Sequence, residues 1–331
     1  PVNLYARTAN PYGEPAGDGQ IHPWQIRGQV WLMAGEPGQS NVTVHVGEQG
    51  LFVMDTGVEA MAQGLLTQLQ RVSRDQASGR PIRMIVNTNG RLDHISGNDI
   101  IRRAGSQIIS GEEAAQQAAF GSGGAEVFAH ENVLSRFVTE STKGGPASAL
   151  WPSDTEGFEI DNRRFNGEPV QIYHPKSANT DGQLVLLFRT SDVLVAGDVV
   201  DMTSYPVIDT ARGGTIDGEL AALNKVIDMA VPDVQADGGT VIVPGHGRLA
   251  DQTDVVLYKN MLTVIRNTVQ YYKNQGKTLD EVLALKPTEG YDQRWGRTTG
   301  PWTTRDFVTA VYQTLPAKGP VFFSLENGGA R

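Results

Sequence analysis

The sequence predicts an α/β fold in which β-sheets are covered by helices, with a helical extension at the C-terminal end. Three observations predict it. Between residues 21 and 250, short β-rich runs recur with Gly-rich turns between them. Stretches with apolar residues at helical spacing alternate with those runs, the order expected of sheets that carry helices on their faces. Beyond Gly247 the strand-like runs stop and long helical periodicity takes over.

Residues 1–20 read as an N-terminal arm. Residues 30–33, 42–46 and 51–54 read as three successive strands, and the Gly-rich breaks between them predict antiparallel hairpins. Met61, Leu65, Leu69 and Val72 then fall at helical spacing. A buried strand over 82–86, a helix over 95–104 and a strand over 106–109 follow. Residues 119–162 are rich in Gly, Ser and Pro and read as a long excursion, with a short helical stretch near 132–138. Strands over 170–173, 184–188, 193–196 and 240–243 complete a second set. In the extension, residues 251–331, one helical stripe carries Tyr258, Leu262, Ile265, Val269 and Tyr272. Thr278-Leu279-Asp280-Glu281 has capping-box spacing and opens a second helix. Phe307 and Val311, at i and i+4, mark a third over 303–315. This extension is expected to pack on the same domain, where it walls the cleft or mediates a homodimer.

Composition narrows the function classes. The chain has 331 residues, 39 % of them apolar, enough for a sizeable core. A net charge of −9 argues against a broad nucleic-acid surface. No apolar run approaches the ~18 residues of a membrane span. With no cysteine, disulfides, thiolate metal ligands and Cys nucleophiles are excluded. No signal peptide is visible, but the chain starts at Pro1 rather than Met, which points to a bacterial periplasmic or secreted protein.

The chemistry sits on turns that follow strands. Met54-Asp55-Thr56-Gly57 closes an apolar strand with a carboxylate before a Gly turn. Asn87-Thr88-Asn89-Gly90-Arg91-Leu92-Asp93-His94 lies between the strand over 82–86 and the next helix, and Ile95-Ser96-Gly97-Asn98 follows it. Asn179-Thr180-Asp181-Gly182-Gln183 precedes a strand. Ala196-Gly197-Asp198 and Pro244-Gly245-His246-Gly247 each close one. Taken singly, each has an ordinary explanation: a helix cap at Asp93, a core imidazole at His94, turn residues at Asp55 and Asp198, a tight loop at His246.

In this order, from Val30 to Gly247, the four places resemble the motifs of the metallo-β-lactamase-fold hydrolases. Those carry His-x-His-x-Asp-His where this chain has Asn89-x-Arg91-x-Asp93-His94, and usually His-Thr-Asp-Gly-Asp where this chain has Asn179-Thr180-Asp181-Gly182-Gln183. The resemblance implies a four-layer αββα sandwich. It also implies a changed metal site. In dinuclear members one metal takes the first two His of the motif and the later His, which here are Asn89, Arg91 and Asn179. A guanidinium stays protonated and has no free lone pair, and a carboxamide is a poor zinc ligand, so no metal is expected there. The second metal takes the motif's Asp and His, the bridging Asp and the last His. Asp93, His94, Asp198 and His246 keep that set, which suits zinc, manganese or iron(II).

Asp93 and Arg91 are the catalytic expectations, and Asn89, Arg91, Asn179 and Tyr205 the substrate-facing ones. Asp55 stands behind the ligands. Arg91 is expected to fork onto Asp198, replacing the first metal's charge. Asp201, close after the bridging Asp, is also expected to line the pocket. His130 reads as a surface residue, and Trp24, Trp31 and Trp151 as packing or pocket wall. Three functions remain open: a hydrolase with one divalent metal acting on a small ester, lactone or amide; a metal-free member that binds a small anionic ligand through Arg91; and an iron(II) oxygen or redox enzyme. All three imply a small-molecule partner.

Overall fold

The computed structural model describes residues 17–107, 124–234 and 238–321. Most of the N-terminal arm, and residues 108–109 of the strand expected at 106–109, lie outside them. Ser106 and Gln107 are not in a strand.

Twelve strands among the described residues form two sheets. The first runs β1 (His22–Arg27), β2 (Val30–Ala34), β3 (Val42–Gly47), β4 (Gly50–Met54), β5 (Ile82–Val86), β6 (Glu126–His130) and β7 (Asp154–Glu156), in that spatial order. Its first half is the predicted antiparallel meander; from β4 onward the pairing is parallel. The second sheet has β8 (Ile160–Phe165), β9 (Glu168–Tyr173), β10 (Val185–Phe188), β11 (Val193–Asp201) and β12 (Val241–His246), antiparallel except for β11 and β12.

Alternation along the strands builds three apolar layers. Val30 and Leu32, Phe52 and Met54, and Val193 and Val195 point between the sheets. Their neighbours Trp31, Met33, Leu51 and Val53 point outward and meet α1 (Glu59–Ala77), whose predicted stripe of Leu65, Leu69 and Val72 is buried there. Leu194 and Ala196 of the second sheet face α5 (Ile216–Met229), α6 (Gln252–Asn274) and α9 (Thr304–Thr314). The order is helix, sheet, sheet, helix: an αββα sandwich. The C-terminal helices, with α7 (Leu279–Ala284) and α8 (Asp292–Trp295), belong to its outer layer. No helix among the described residues is long and apolar enough to cross a membrane.

Three expectations are corrected. Residues 124–162 do not leave the fold: β6 pairs with β5 and β7 inside the first sheet, and α4 (Glu131–Glu140) follows it. The helix expected over 95–104 is two short ones, α2 (Leu92–Ile95) and α3 (Asn98–Arg103). The His94 carbonyl is taken by the Thr56 and Gly57 amides at 2.8 and 3.1 Å, so it cannot continue the helix. Gly97 fits this break because a Cβ there would meet the Thr56 carbonyl at 2.5 Å. His130 is buried rather than on the surface, with 4 % exposure.

The candidate metal centre

Both sheets end at one cleft. Asp55 follows β4, Asn89 to His94 follow β5, Asp198 sits in β11 and His246 ends β12. Asp55 adopts φ 62, a left-handed conformation unusual for a residue with a side chain. That turns its carboxylate back into the fold. Oδ1 accepts the Thr88 amide at 2.7 Å, and Oδ2 accepts the Thr88 hydroxyl at 2.6 Å and His94 Nδ1 at 2.8 Å. The His94 ring is thereby held with Nε2 forward, 3.0 Å from Asp198 Oδ1.

Asp198 passes over Gly245, where a Cβ would run into its Oδ1. The same oxygen lies 3.1 Å from His246 Nδ1, outside hydrogen-bonding geometry, so that this buried nitrogen has no hydrogen-bond partner. His246 Nε2 lies 3.2 Å from Asp93 Oδ2. Donor atoms of Asp93, His94 and His246 fall within 4.8 Å of one another. These two imidazoles and one carboxylate, with one imidazole nitrogen otherwise unpartnered and Asp198 beside both rings, are a donor set of the kind that suits a divalent cation.

The other oxygen of Asp198 has different neighbours. Arg91 Nε is 3.2 Å from Oδ2, Asn89 Nδ2 3.3 Å and Asn179 Nδ2 3.5 Å. Asn89 is oriented from both ends: its Oδ1 accepts the Arg91 amide at 2.9 Å, and its Nδ2 also faces Gln183 Oε1 at 3.3 Å. Asn89, Arg91 and Asn179 thus converge on one and the same oxygen of Asp198. The expected fork of Arg91 onto Asp198 is corrected: the fork grips Asp93, with Nε and Nη2 at 3.2 and 3.1 Å, and Asp198 receives Nε alone. Arg91 is extended at the N-cap of α2, and Asp93 lies in the first turn of that helix, within reach of the N-cap side chain.

These contacts set the charges. Burial opposes the charged form of His94, but Asp198 and Asp55 outweigh it and hold the imidazole well above its usual range. Burial likewise opposes charge on His246, and Asp198 and Asp93 push it up to about 10. Burial alone would raise Asp198; His94 and His246 hold it well below the ordinary carboxylate range. Asp93 is also lowered, burial being outweighed by the His246 hydrogen bond first. Arg91 is raised: burial works against its charge, and Asp198 and then Asp93 overcome it. Arg91, His94 and His246 thus face three carboxylates, Asp55, Asp93 and Asp198, and opposite charges pair across the cleft.

Tyr205 is not at the cleft, which corrects its expected role. Its ring stacks on Phe307 at 4.6 Å, and its hydroxyl donates to Asp292 at 2.9 Å, under the C-terminal helices. Asp201 closes β11 by accepting the Thr203 amide and hydroxyl at 2.6 and 2.7 Å. Trp31 is buried against α1, and Trp151 packs near Phe137 of α4. Two contributors escaped the sequence. Gln183 sits in a motif already singled out, at a place the family usually fills with Asp. Ser40, whose hydroxyl donates to the Asp93 carbonyl at 2.5 Å, carries no sequence signal.

The family model of the metallo-β-lactamase superfamily matches residues 35–246, and the chain belongs to that superfamily. The inverting sec-alkylsulfatase Pisa1 from Pseudomonas sp. has a similar structure, with TM-score 0.61 and 14 % identity over 93 % of this chain and 51 % of that one. A metallo-β-lactamase from Pontibacter korlensis gives 0.50 and 18 %, over 73 % of this chain and 99 % of that one. The DIM-1 metallo-β-lactamase gives 0.52 and 13 %, over 73 % and 97 %. This chain spans about half the length of the alkylsulfatase. At these identities the likeness shows a shared fold.

Proposed function

We propose that this protein is a hydrolase with one divalent metal, zinc before manganese or iron(II), held by Asp93, His94, Asp198 and His246. It acts on a small ester, lactone or amide. One observation supports this reading. Arg91, Asn89 and Asn179 supply Asp198 Oδ2 with donors, while Oδ1 stays with the two imidazoles. The second metal's donor set is kept whole and the first metal's charge is replaced by a guanidinium.

A bound divalent ion there polarises a carbonyl and lets a water ionise near neutral pH. The chain's own residues do the rest. Asp55 fixes the His94 ring, and with it the direction of Nε2. Arg91, partly open at the mouth, offers guanidinium N–H groups to an oxygen that gains charge during attack. Sulfate monoesters belong in the substrate panel beside esters, lactones and amides, because Pisa1 shares the fold and Arg91 suits an anion.

The test is elemental analysis after dialysis against zinc, manganese or iron(II). About one equivalent is expected, lost in His246→Ala. Two equivalents would contradict the reading of Asn89, Arg91 and Asn179. No metal under any condition would favour the second reading, a metal-free protein that binds a small anion through Arg91. The self-neutralised cleft speaks for that reading, and ligand affinity lost in Arg91→Ala would support it.

A further inference from the structure

Away from Asp198, two buried imidazoles lie face to face. His130 ends β6 in one sheet and His174 follows β9 in the other. Their ring centroids are 3.6 Å apart and their planes 12° from parallel. Each ring has a defined task. His130 Nδ1 accepts the Asn132 amide at 3.2 Å and caps α4. His174 Nδ1 donates to the Gln183 carbonyl at 2.9 Å. Asn132 Nδ2 donates to the Asp181 carbonyl at 2.7 Å, and Arg136 pairs with the Asp181 carboxylate. The pair therefore joins α4 to the turn that carries Asn179 and Gln183. Val133 and Phe137 of α4 close directly on Gly90, so helix and turn together wall the side of the cleft where the first metal's ligands have been replaced.

We propose that His130 and His174 are positioning residues that hold α4 against this turn only while both imidazoles are neutral, so that mild acid opens this wall of the cleft. The inference does not depend on whether a metal is bound. A proton on His130 Nδ1 turns an acceptor into a donor that faces the Asn132 N–H. Two imidazolium rings stacked in a dry interface repel each other.

The charged groups around the pair do not rescue it. Asp181, from the turn, favours charge on both rings. At His174, Glu159 favours charge and Lys176 opposes it. On α4, Arg136 is already bound to Asp181. A Phe158 backbone hydrogen bond favours charge on His130. Burial outweighs all of these and lowers both imidazoles; burial first and His174 second bring His130 to about 4. In an opened state both return to an ordinary pKa of about 6.5. Opening thus takes up protons. The closed state keeps its full advantage above about pH 6.5 and loses it as pH falls, by up to about tenfold per pH unit for each histidine.

Hydrogen exchange over residues 131–140, corrected for intrinsic rates and followed from about pH 7 to about pH 5, tests this. His130→Asn keeps a cap acceptor that cannot charge, and His174→Gln keeps a donor. In the wild type, protection of α4 is expected to fall at least about tenfold more than protection of α6. In the double variant the difference should vanish. An equal loss in both proteins, or none in the wild type, overturns the proposal. If the double variant does not fold, the imidazole titrations in the wild type decide: values below about 5.5 for both rings support it, and a value near 6.5 for either overturns it.

Discussion

The two oxygens of Asp198 face different chemistry, and that division makes Arg91 testable. Removing the guanidinium leaves Asp93 and Asp198 with only the His94 and His246 imidazoles beside them. Arg91→Ala should lose about 2 kcal/mol when metal-free, less than a fully buried pair because Arg91 is 23 % exposed. It should also bind a divalent ion more tightly. Urea unfolding with chelator and equilibrium dialysis measure the two effects, and a change of the same sign in both would contradict the assignment. The imidazoles predict a pH profile. His94 and His246 are both raised in the fold, so their contribution is complete below about pH 6.5 and is lost as pH rises, that of His246 through about 10. Metal-free protein should therefore be less resistant to urea at about pH 9.5 than at about pH 6.5. Metal binding should release protons and tighten as pH rises over that window. That Asp93, His94, Asp198 and His246 lie near one another was legible because four turn motifs recur in the order of a known family, each residue having an ordinary explanation when taken singly. The partner of the Arg91 fork was not, since it depends on the extended turn at Arg91. Tyr205 misled for a related reason: its partners, Asp292 and Phe307, come from the far end of the chain.

At the scale of elements, the strand-to-helix turn after β5 and the turn before β10 together carry the three residues that meet Asp198 Oδ2. Asn89, Arg91 and Asn179 already point at Asp198 Oδ2, so imidazoles at the same three positions should point there too. The variant Asn89→His/Arg91→His/Asn179→His is expected to bind two equivalents of zinc. One equivalent in a folded triple variant would show that the turns no longer have the family's geometry. Local pattern revealed most elements, and it misjudged one region. Residues 126–130 form a short apolar run beside Gly, Ser and Pro, and composition alone makes that run look like loop. Its place inside the first sheet follows from pairing with Met84 and Val86, about forty residues back, which no local window contains. The break between α2 and α3 was hidden likewise: helical spacing continues through residues 95–104, and the β4 turn takes the His94 carbonyl from outside.

For the whole molecule, the helical extension is structural rather than appended. Phe307 is fully buried and stacks on Tyr205 just beyond β11. Phe307→Ala should cost about 3–5 kcal/mol, read as a shift of the entire urea transition. A separate early transition with the sheets intact would show that the helices fold independently. Sheets covered by helices were legible from the alternation of strands and helices, and the αββα order from the resemblance of the turn motifs, whereas the membership of the C-terminal helices in the outer layer needed the packing itself. The sheets are also tied across their interface, where His45 of β3 meets Glu168 of β9 at 2.8 Å and Glu168 Oε1 accepts the Ser191 amide at 2.6 Å. The cleft has the same two-sided origin, with Asp93 and His94 brought by one sheet and Asp198 and His246 by the other. Melting either sheet dismantles the recognition surface, so whatever binds there binds the folded state and not the unfolded chain. Its occupancy is then readable as heat resistance: at about a hundredfold excess over Kd, a ligand adds about 2.7 kcal/mol against unfolding. A collection of metals and small anions can be ranked by melting temperature before any reaction is known, and the compounds that shift it would name the chemistry the cleft was shaped for.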